Sequence, residues 1–276
     1  MRNLVIDGDI ILYSAGFASQ CVTTVVSVGN EILGEFESKK DIKKYLSTVF
    51  QDDNYPPLSY EDELVVEPAS HALQNTKLMI EEILDVCQPE TYTVYFSGDT
   101  NYRKELYPEY KKNRDPTHKP VHLGAIKDYC ISNWNGRTVG QVEADDLLGI
   151  EGMEGSCIAS IDKDLLMIPT LHYNIRKGDF IEVDTQTANV TFLRQWLTGD
   201  STDNIPGLKG IGPKRAQKLI PDNIDTKEAI DIVLETYKDE DNAWLNASLV
   251  WILRRYEKNL SVETIKDQIK HSLGYT

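Results

Sequence analysis

Carboxylates recur wherever a short apolar run of this 276-residue chain ends. Asp7 and Asp9 follow Leu4-Val5-Ile6, Asp99 follows Tyr92 to Phe96, and Asp162 and Asp164 follow Cys157 to Ile161. Glu143, Asp145 and Asp146 open a segment that reads as a helix, where the helix dipole favours negative charge. Glu143 and Asp146 are three residues apart and share a helical face, and Asp200 and Asp203 repeat that spacing. Taken singly, an aspartate after a strand is most often a turn former or a helix cap. Together in one crevice, so many carboxylates repel strongly unless cations sit among them. Oxygen ligands with no His or Cys cluster beside them point to Mg²⁺ or Mn²⁺ rather than Zn²⁺. A pair of such ions ~4 Å apart is a standard device for phosphodiester hydrolysis.

A second signal is Gly207-Leu208-Lys209-Gly210-Ile211-Gly212-Pro213-Lys214-Arg215-Ala216, a glycine-rich hairpin leading into a basic helix. Gly207, Gly210 and Gly212 would let backbone N–H groups approach a phosphate, and the helix start adds positive potential. Pro213 suits the first helical position, and Lys214 and Arg215 would flank the anion. The net charge of −15 opposes phosphate binding. Two features offset it: bound divalent cations would neutralise converging carboxylates, and the basic residues are clustered. Lys209 to Lys218 contains four of them and no acid, and a second cluster runs from Arg103 to Lys119. For either run alone, a solvated face is the default reading.

These residues need a frame that gathers strand ends. Strands are expected at Leu4–Ile6, Tyr92–Phe96 and Cys157–Ile161, with hairpins at Val22–Phe36 and Leu171–Val183. Helices are expected at Ile10–Ala18, Asp41–Phe50, Ala72–Val86, His122–Trp134, from Glu143, and almost throughout beyond Thr185. Leu73, Leu78, Ile80, Ile83 and Leu84 form the expected apolar face of the third helix. Tyr13 and Phe17 read as core packing ahead of base stacking near the crevice, Gln51 to Glu67 as a surface loop, and Asn101 to Pro120 as lacking a core face. The alternation argues for an α/β fold: a mostly parallel sheet with helices on both faces, whose strand ends line one crevice. Residues 1–184 form the expected catalytic core, including a short arch near 100–120, and residues 185–276 a helical lobe.

The amino terminus is too short in apolar residues for a signal peptide, and no stretch approaches the ~20 needed to span a membrane. Cys21, Cys87, Cys130 and Cys157 lie far apart and form no C-x-x-C pair. They read as reduced thiols of a cytoplasmic protein.

Five segments in this order resemble the 5′-nuclease family of flap endonucleases and 5′→3′ exonucleases, in its phage exonuclease branch. They are Val-Ile-Asp-Gly-Asp at 5–9, Tyr-Pro-Glu-Tyr-Lys-Lys-Asn-Arg at 107–114, Val-Glu-Ala-Asp-Asp at 142–146, Ser-Ile-Asp-Lys-Asp-Leu at 160–165, and Gly-Asp-Ser-Thr-Asp-Asn-Ile-Pro-Gly-Leu-Lys-Gly-Ile-Gly at 199–212. The resemblance implies a PIN-like core holding two Mg²⁺ (or Mn²⁺) ions. It implies Asp7, Asp99, Glu143 and Asp145 around the first ion, and Asp146, Asp162, Asp164, Asp200 and Asp203 holding or orienting the second. Lys111 and Arg114 would contact the phosphate at the scissile bond, with Lys112 beside them on DNA. Residues 207–219 would be a helix–hairpin–helix lobe gripping duplex backbone. The implied substrate is duplex DNA with a 5′ end, nick or flap, with RNA in a hybrid a further candidate. A monomer is expected, and replication proteins are candidate partners that the sequence itself does not identify. Asp9 lies outside the family's general ligand set and is a second-layer candidate. The arch between Arg114 and Pro120 is short, and the stretch from Cys21 to Glu67 is longer than the family pattern leads one to expect.

Two other classes compete. A haloacid-dehalogenase-type phosphatase also places Asp-x-Asp after its first strand, with Asp7 as nucleophile and Asp9 as acid, but it explains neither Glu-Ala-Asp-Asp nor the glycine hairpin. A non-catalytic DNA-binding relative would be expected to have lost ligands, and all the expected acids are present.

Overall fold

The computed structural model describes residues 2–50, 55–115, 119–153 and 155–275. The chain divides into two compact units, one of residues 1–11, 80–118 and 127–276, the other of 12–79 and 119–126. The second unit contains the stretch from Cys21 to Glu67 that is longer than the family pattern leads one to expect. After β1 (Asn3–Asp7) and α1 (Gly8–Phe17), the chain forms β2 (Gln20–Val28), β3 (Glu31–Phe36), α2 (Lys39–Val49) and β4 (Leu58–Val66). The hairpin around Gly29-Asn30 is as expected, but the segment expected to be a loop contains β4. It pairs antiparallel with β2 along its full length, giving the order β3-β2-β4. Its acidic run Glu61-Asp62-Glu63 has the look of a solvated loop, and β4 is exposed along almost all of its length. Val26, Ile42 and Leu46 form the small core here, with Phe36, Tyr45 and Leu58 packed around them. Ser38 caps α2 by accepting the Asp41 N–H. Tyr13 and Phe17 are 37% and 48% exposed, so neither is the core residue expected.

From α3 (Ala69–Cys87) the chain returns to the first unit. The helix buries Ala72, Thr76, Ile80, Ile83 and Cys87, a strip at three- and four-residue spacing, and leaves Leu78 exposed, against expectation. Then follow β5 (Thr91–Phe96), α4 (Tyr102–Leu106), α5 (Leu123–Asn133), β6 (Gly136–Thr138), α6 (Ala144–Glu151) and β7 (Ser156–Ser160). A 3-10 turn at Asp164–Met167, β8 (Leu171–Asn174) and β9 (Asp179–Glu182) complete the sheet, whose order is β6-β5-β1-β7-β8-β9. All its pairings are parallel except β8 with β9. Central strands of such a sheet are covered on both faces and read as continuous apolar runs. Accordingly Leu4-Val5-Ile6 and Cys157-Ile158-Ala159 are at most 1% exposed. Asp7 stands opposite Tyr95, and Ile6 opposite Ala159, so β1, β5 and β7 end level with one another.

The remaining helices are α7 (Thr185–Thr198), α8 (Pro213–Leu219), α9 (Thr226–Tyr237), α10 (Glu240–Val250) and α11 (Val262–Leu273). They share one core with the sheet: Val5, Ile158, Trp196, Trp251 and Ile269 belong to a single buried cluster. The boundary expected at 184/185 therefore does not coincide with a division of the structure. Nor does the segment Asn101 to Pro120 lack a core face, since Tyr102, Arg103 and Tyr110 are 2–3% exposed. The expected arch between Arg114 and Pro120 falls partly on residues 116–118, outside the described residues. The four cysteines are free thiols, and among the described residues no helix is long and apolar enough to cross a membrane.

Candidate metal centre

The site begins at the level ends of β1 and β7. Asp7 is 2% exposed. One of its oxygens accepts the Ile10 N–H at 3.2 Å and the other the Ser160 hydroxyl at 2.6 Å. Ser160 in turn accepts the Asp162 N–H at 3.0 Å, and Asp162 accepts the Asp164 N–H at 2.9 Å. One serine thus fixes the turn after β7 to the carboxylate after β1. On the other side, Ser97 after β5 donates its N–H to Asp9, and its hydroxyl accepts the Ala144 N–H at the start of α6. That contact sets the helix end carrying Glu143 and Asp145.

The electrostatics reveal which acids meet. Burial raises Asp7 to about 7, against the Ser160 hydrogen bond, with Asp9 and Asp162 adding to the rise. Asp145 lies well above the carboxylate range, first through burial and then through the charges of Asp7, Asp162 and Glu143. Asp164 is pushed to about 6 by burial and Asp162, with smaller contributions from Asp200 and Asp203, while Gln195 opposes the shift by a hydrogen bond. Glu143, Asp145, Asp164, Asp200 and Asp203 line one pocket, and Asp162 acts on Asp7, Asp145 and Asp164.

Glu143 behaves oppositely. Burial alone would raise it, but Arg103 and Lys111 outweigh that and hold it at about 2. The Lys111 ammonium contacts Glu143 Oε1 and lies 3.3 Å from Asp203. The Tyr110 hydroxyl lies 2.8 Å from Glu143 and 2.9 Å from Asp203, and its single proton can serve one of them at a time. Arg114 pairs with the other Asp203 oxygen.

The expected ligands do not all assemble. Asp146 is fully buried, and Arg103 grips both its oxygens at 2.7 and 2.8 Å. It also accepts the Glu143 and Leu253 N–H groups. All four contacts hold Asp146 on the Arg103 side, where it anchors the start of α6. Asp99 is exposed beyond the end of β5 and is not among the charges acting most strongly on Asp7, Asp145 or Asp164. Lys112 is 66% exposed and pairs with Glu109. Sequence reasoning missed Ser97, Ser160, Arg103, Tyr110 and Gln195 as parts of the site. Only Ser160 and Tyr110 carried a signal, as members of motifs.

The donors fit a divalent cation. They are all carboxylate oxygens, and three of them are raised by burial and mutual repulsion, which a cation would relieve. Among the described residues, no three His, Cys, Asp or Glu side chains already form a ready coordination cluster.

The glycine hairpin serves two purposes. Gly207 has φ +56°, and a Cβ there would meet the Thr198 carbonyl at 2.3 Å, so this glycine is required by internal packing. Gly210, at φ +82°, and Gly212 face open space, and only they leave room for close approach from outside. Pro213 begins α8, and Lys214 and Arg215 are exposed on its first turn.

No family model matches the chain. Flap endonuclease Xni of Shewanella sp. (strain ANA-3) is 31% identical over 161 residues, covering 50% of this chain and 60% of that protein. DNA polymerase I of Borreliella burgdorferi is 31% identical over 209 residues, 65% of this chain and 22% of the polymerase. The chain thus spans about 60% of the length of the flap endonucleases it matches. Among solved structures, the T5 D15 protein co-crystallised with metal ions is similar over 99% of this chain and 97% of its own, at 17% identity and a TM-score of 0.59. The T5 5′-exonuclease with zinc bound aligns at a TM-score of 0.56. These likenesses establish the α/β fold with its largely parallel sheet.

Proposed function

We propose that this protein is a divalent-metal-dependent 5′-nuclease. It hydrolyses DNA phosphodiester bonds as a 5′→3′ exonuclease and a structure-specific flap endonuclease, leaving 5′-phosphate and 3′-hydroxyl ends. The observation that carries this reading is the convergence of carboxylates from separate segments: Glu143, Asp145, Asp164, Asp200 and Asp203 line one pocket, Asp7 and Asp162 act on Asp145, and Lys111 lies against Glu143 and Asp203. The flap endonuclease names of the similar proteins support it. Asp7, Glu143, Asp145 and Asp162 would hold one Mg²⁺ or Mn²⁺ ion, and Asp164, Asp200 and Asp203 a second. When bound, such ions supply an acidified water and charge stabilisation at phosphorus. Ser160 and Ser97 keep the carboxylates aimed. Lys111 and Arg114 bring positive charge to the scissile phosphate, with Lys111 acting where negative charge develops.

Residues 185–276 would supply duplex binding through Gly210, Gly212, Lys214 and Arg215. A phosphatase using Asp7 as nucleophile is disfavoured, because it leaves unexplained the Glu143, Asp145, Asp164, Asp200 and Asp203 carboxylates that line one pocket. The deciding experiment is digestion of end-labelled flap, nicked, blunt and RNA–DNA hybrid substrates with Mg²⁺, with the product ends mapped. Release of p-nitrophenol from its phosphate through an aspartyl-phosphate, without DNA cleavage, would overturn the proposal.

Lys111→Ala should lower the single-turnover rate by roughly 10²-fold or more, the scale of other electrostatic stabilisers, with much less change in duplex affinity. A pure affinity loss would make Lys111 an ordinary phosphate contact. For the hairpin, Lys214→Ala/Arg215→Ala should weaken duplex binding in Ca²⁺. It should also flatten the slope of log K against log[salt] by up to ~2, about 0.9 per lost phosphate contact. An unchanged slope would move the duplex anchor to the Arg103–Lys119 cluster.

A further inference from the structure

Two loops meet beside Lys111 in an arrangement that neither the motifs nor the ligand set explains. Glu109 to Asn113 runs antiparallel to Ser201 to Asn204. One backbone bond joins them at the centre, from Lys111 N–H to the Asp203 carbonyl at 2.9 Å. On one side of it the Asn204 amide donates to the Glu109 carbonyl at 2.7 Å. On the other, the Asn113 amide donates to the Ser201 carbonyl at 2.9 Å. The three contacts keep a nearly constant register, 109 with 204, 111 with 203 and 113 with 201, as in an antiparallel ladder. Two side-chain amides extend a single backbone bond into that ladder, each donating from one loop to the other. Lys111 and Asn204 both adopt left-handed backbone, at φ +56° and +58°. Asparagine tolerates that conformation, whereas lysine gains nothing from it. The register places Lys111 opposite Asp203, where its ammonium lies 3.3 Å from the carboxylate.

We propose that Asn113 and Asn204 are positioning residues: together they clasp the two loops in register and thereby hold Lys111 over the Glu143–Asp203 carboxylates. This rests on the nuclease reading for its consequence in catalysis, but not for its consequence in geometry. Asn204→Gly removes the amide while keeping the left-handed backbone accessible, and Asn113→Ala removes the other amide.

The test has two arms. In the first, single-turnover cleavage of a flap substrate at saturating DNA should fall about 5-fold for each variant, the scale of one net hydrogen bond, and ~10–30-fold for the pair. Affinity in Ca²⁺ and thermal midpoint should change little. In a Lys111→Ala background the same substitutions should have less than about a 2-fold further effect, because what they position is gone. Undiminished effects in that background would show a merely structural role and overturn the proposal, as would no effect in the native one. The second arm needs no catalysis: acetylation of the folded protein by acetic anhydride, followed by mass spectrometry. Lys111 should be protected in the native chain and become several-fold more reactive in the double variant, with Lys112 and Lys214 unchanged. Unaltered Lys111 reactivity would overturn the clasp. If no DNA is cut by the native protein while Lys111 is unmasked as expected, the nuclease reading fails and the clasp stands.

Discussion

Asp7→Asn and Asp145→Asn should each abolish Mg²⁺-dependent cleavage by several orders of magnitude and, in EDTA at pH 8, make the protein more stable to heat. Both effects have one cause. Asp7 is raised to about 7, and Asp145 well above its ordinary value, by burial and by neighbouring carboxylates. A carboxyl whose folded pKa exceeds its unfolded value binds more protons folded than unfolded between the two, so stability falls as pH rises through that window. For Asp7 the window runs from 3.8 to about 7. At pH 8 and without cations the native chain therefore carries the cost of charging buried carboxyls, with repulsion between them added. The amide removes it while preserving shape: it can still accept the Ile10 N–H and donate to Ser160. The same substitution removes an ion ligand, so stability rises as activity is lost. Melting curves in EDTA should show the gain at pH 8 and little of it near pH 4, where the native carboxyls are protonated. Adding Mg²⁺ should raise the native midpoint and leave the variants nearly unmoved. Cleavage should vanish in EDTA and return with Mg²⁺ or Mn²⁺. Full activity in either variant, or lowered stability at pH 8 with the fold intact, would remove that residue from the centre.

Much of this site was legible because its strands are short apolar runs that stop at an acid. Leu4-Val5-Ile6 before Asp7, and Cys157 to Ala159 before Asp162, could be read as buried parallel strands, and their level ends follow from that pairing. The small sheet was half legible. β2 and β3 declared themselves by the Gly29-Asn30 turn, but β4 did not, because Glu61-Asp62-Glu63 resembles a solvated loop when its partner is unknown. The supporting residues were the least legible. Asp146 shares the helix start with Glu143 and Asp145, the acids proposed to hold the ion, and only its partner, 43 residues earlier in the chain, sets it apart. Arg103 reads as one more charge in a basic run, yet it is 3% exposed. Ser97 and Gln195 belong to no pattern, because positioning by a hydroxyl or an amide requires only proximity. Gly207 and Gly210 look alike in sequence, and only the backbone beside Gly207 shows which of them the fold itself requires.

That Arg103–Asp146 pair carries the largest expected effect on stability. The guanidinium donates to both Asp146 oxygens, to the Leu249 carbonyl at 2.9 Å and to the Trp251 carbonyl at 2.6 Å, and lies 3.4 Å from Glu143. Asp146 accepts the Leu253 N–H in return. One buried ion pair thus joins α4, the start of α6 and the chain leaving α10. Arg103→Ala would strand an ionised Asp146 with no exposure and leave two carbonyls without a partner. Breaking a buried pair on one side typically costs about 3–5 kcal/mol, a large share of the ~5–15 kcal/mol that holds a domain folded. Asp146→Asn should also destabilise: the amide oxygen still accepts from the guanidinium, but the NH2 would face an Arg103 N–H and a backbone N–H, and the buried guanidinium would lose its counter-charge. Removing both charges together, as Arg103→Met/Asp146→Leu, should recover a good part of the loss, since a paired charge replaced by packed apolar groups is often neutral. Activity should not recover with it. The introduced leucine could not accept the Glu143 N–H, and the introduced methionine could not help hold Glu143 ionised. The helix end bearing Glu143 and Asp145 would therefore be less fixed. Urea unfolding of the three variants beside single-turnover cleavage separates the two effects. An unfolding free energy for Arg103→Ala within about 1 kcal/mol of native would mean that water or relaxation satisfies Asp146, and that this pair does not anchor the α6 helix end.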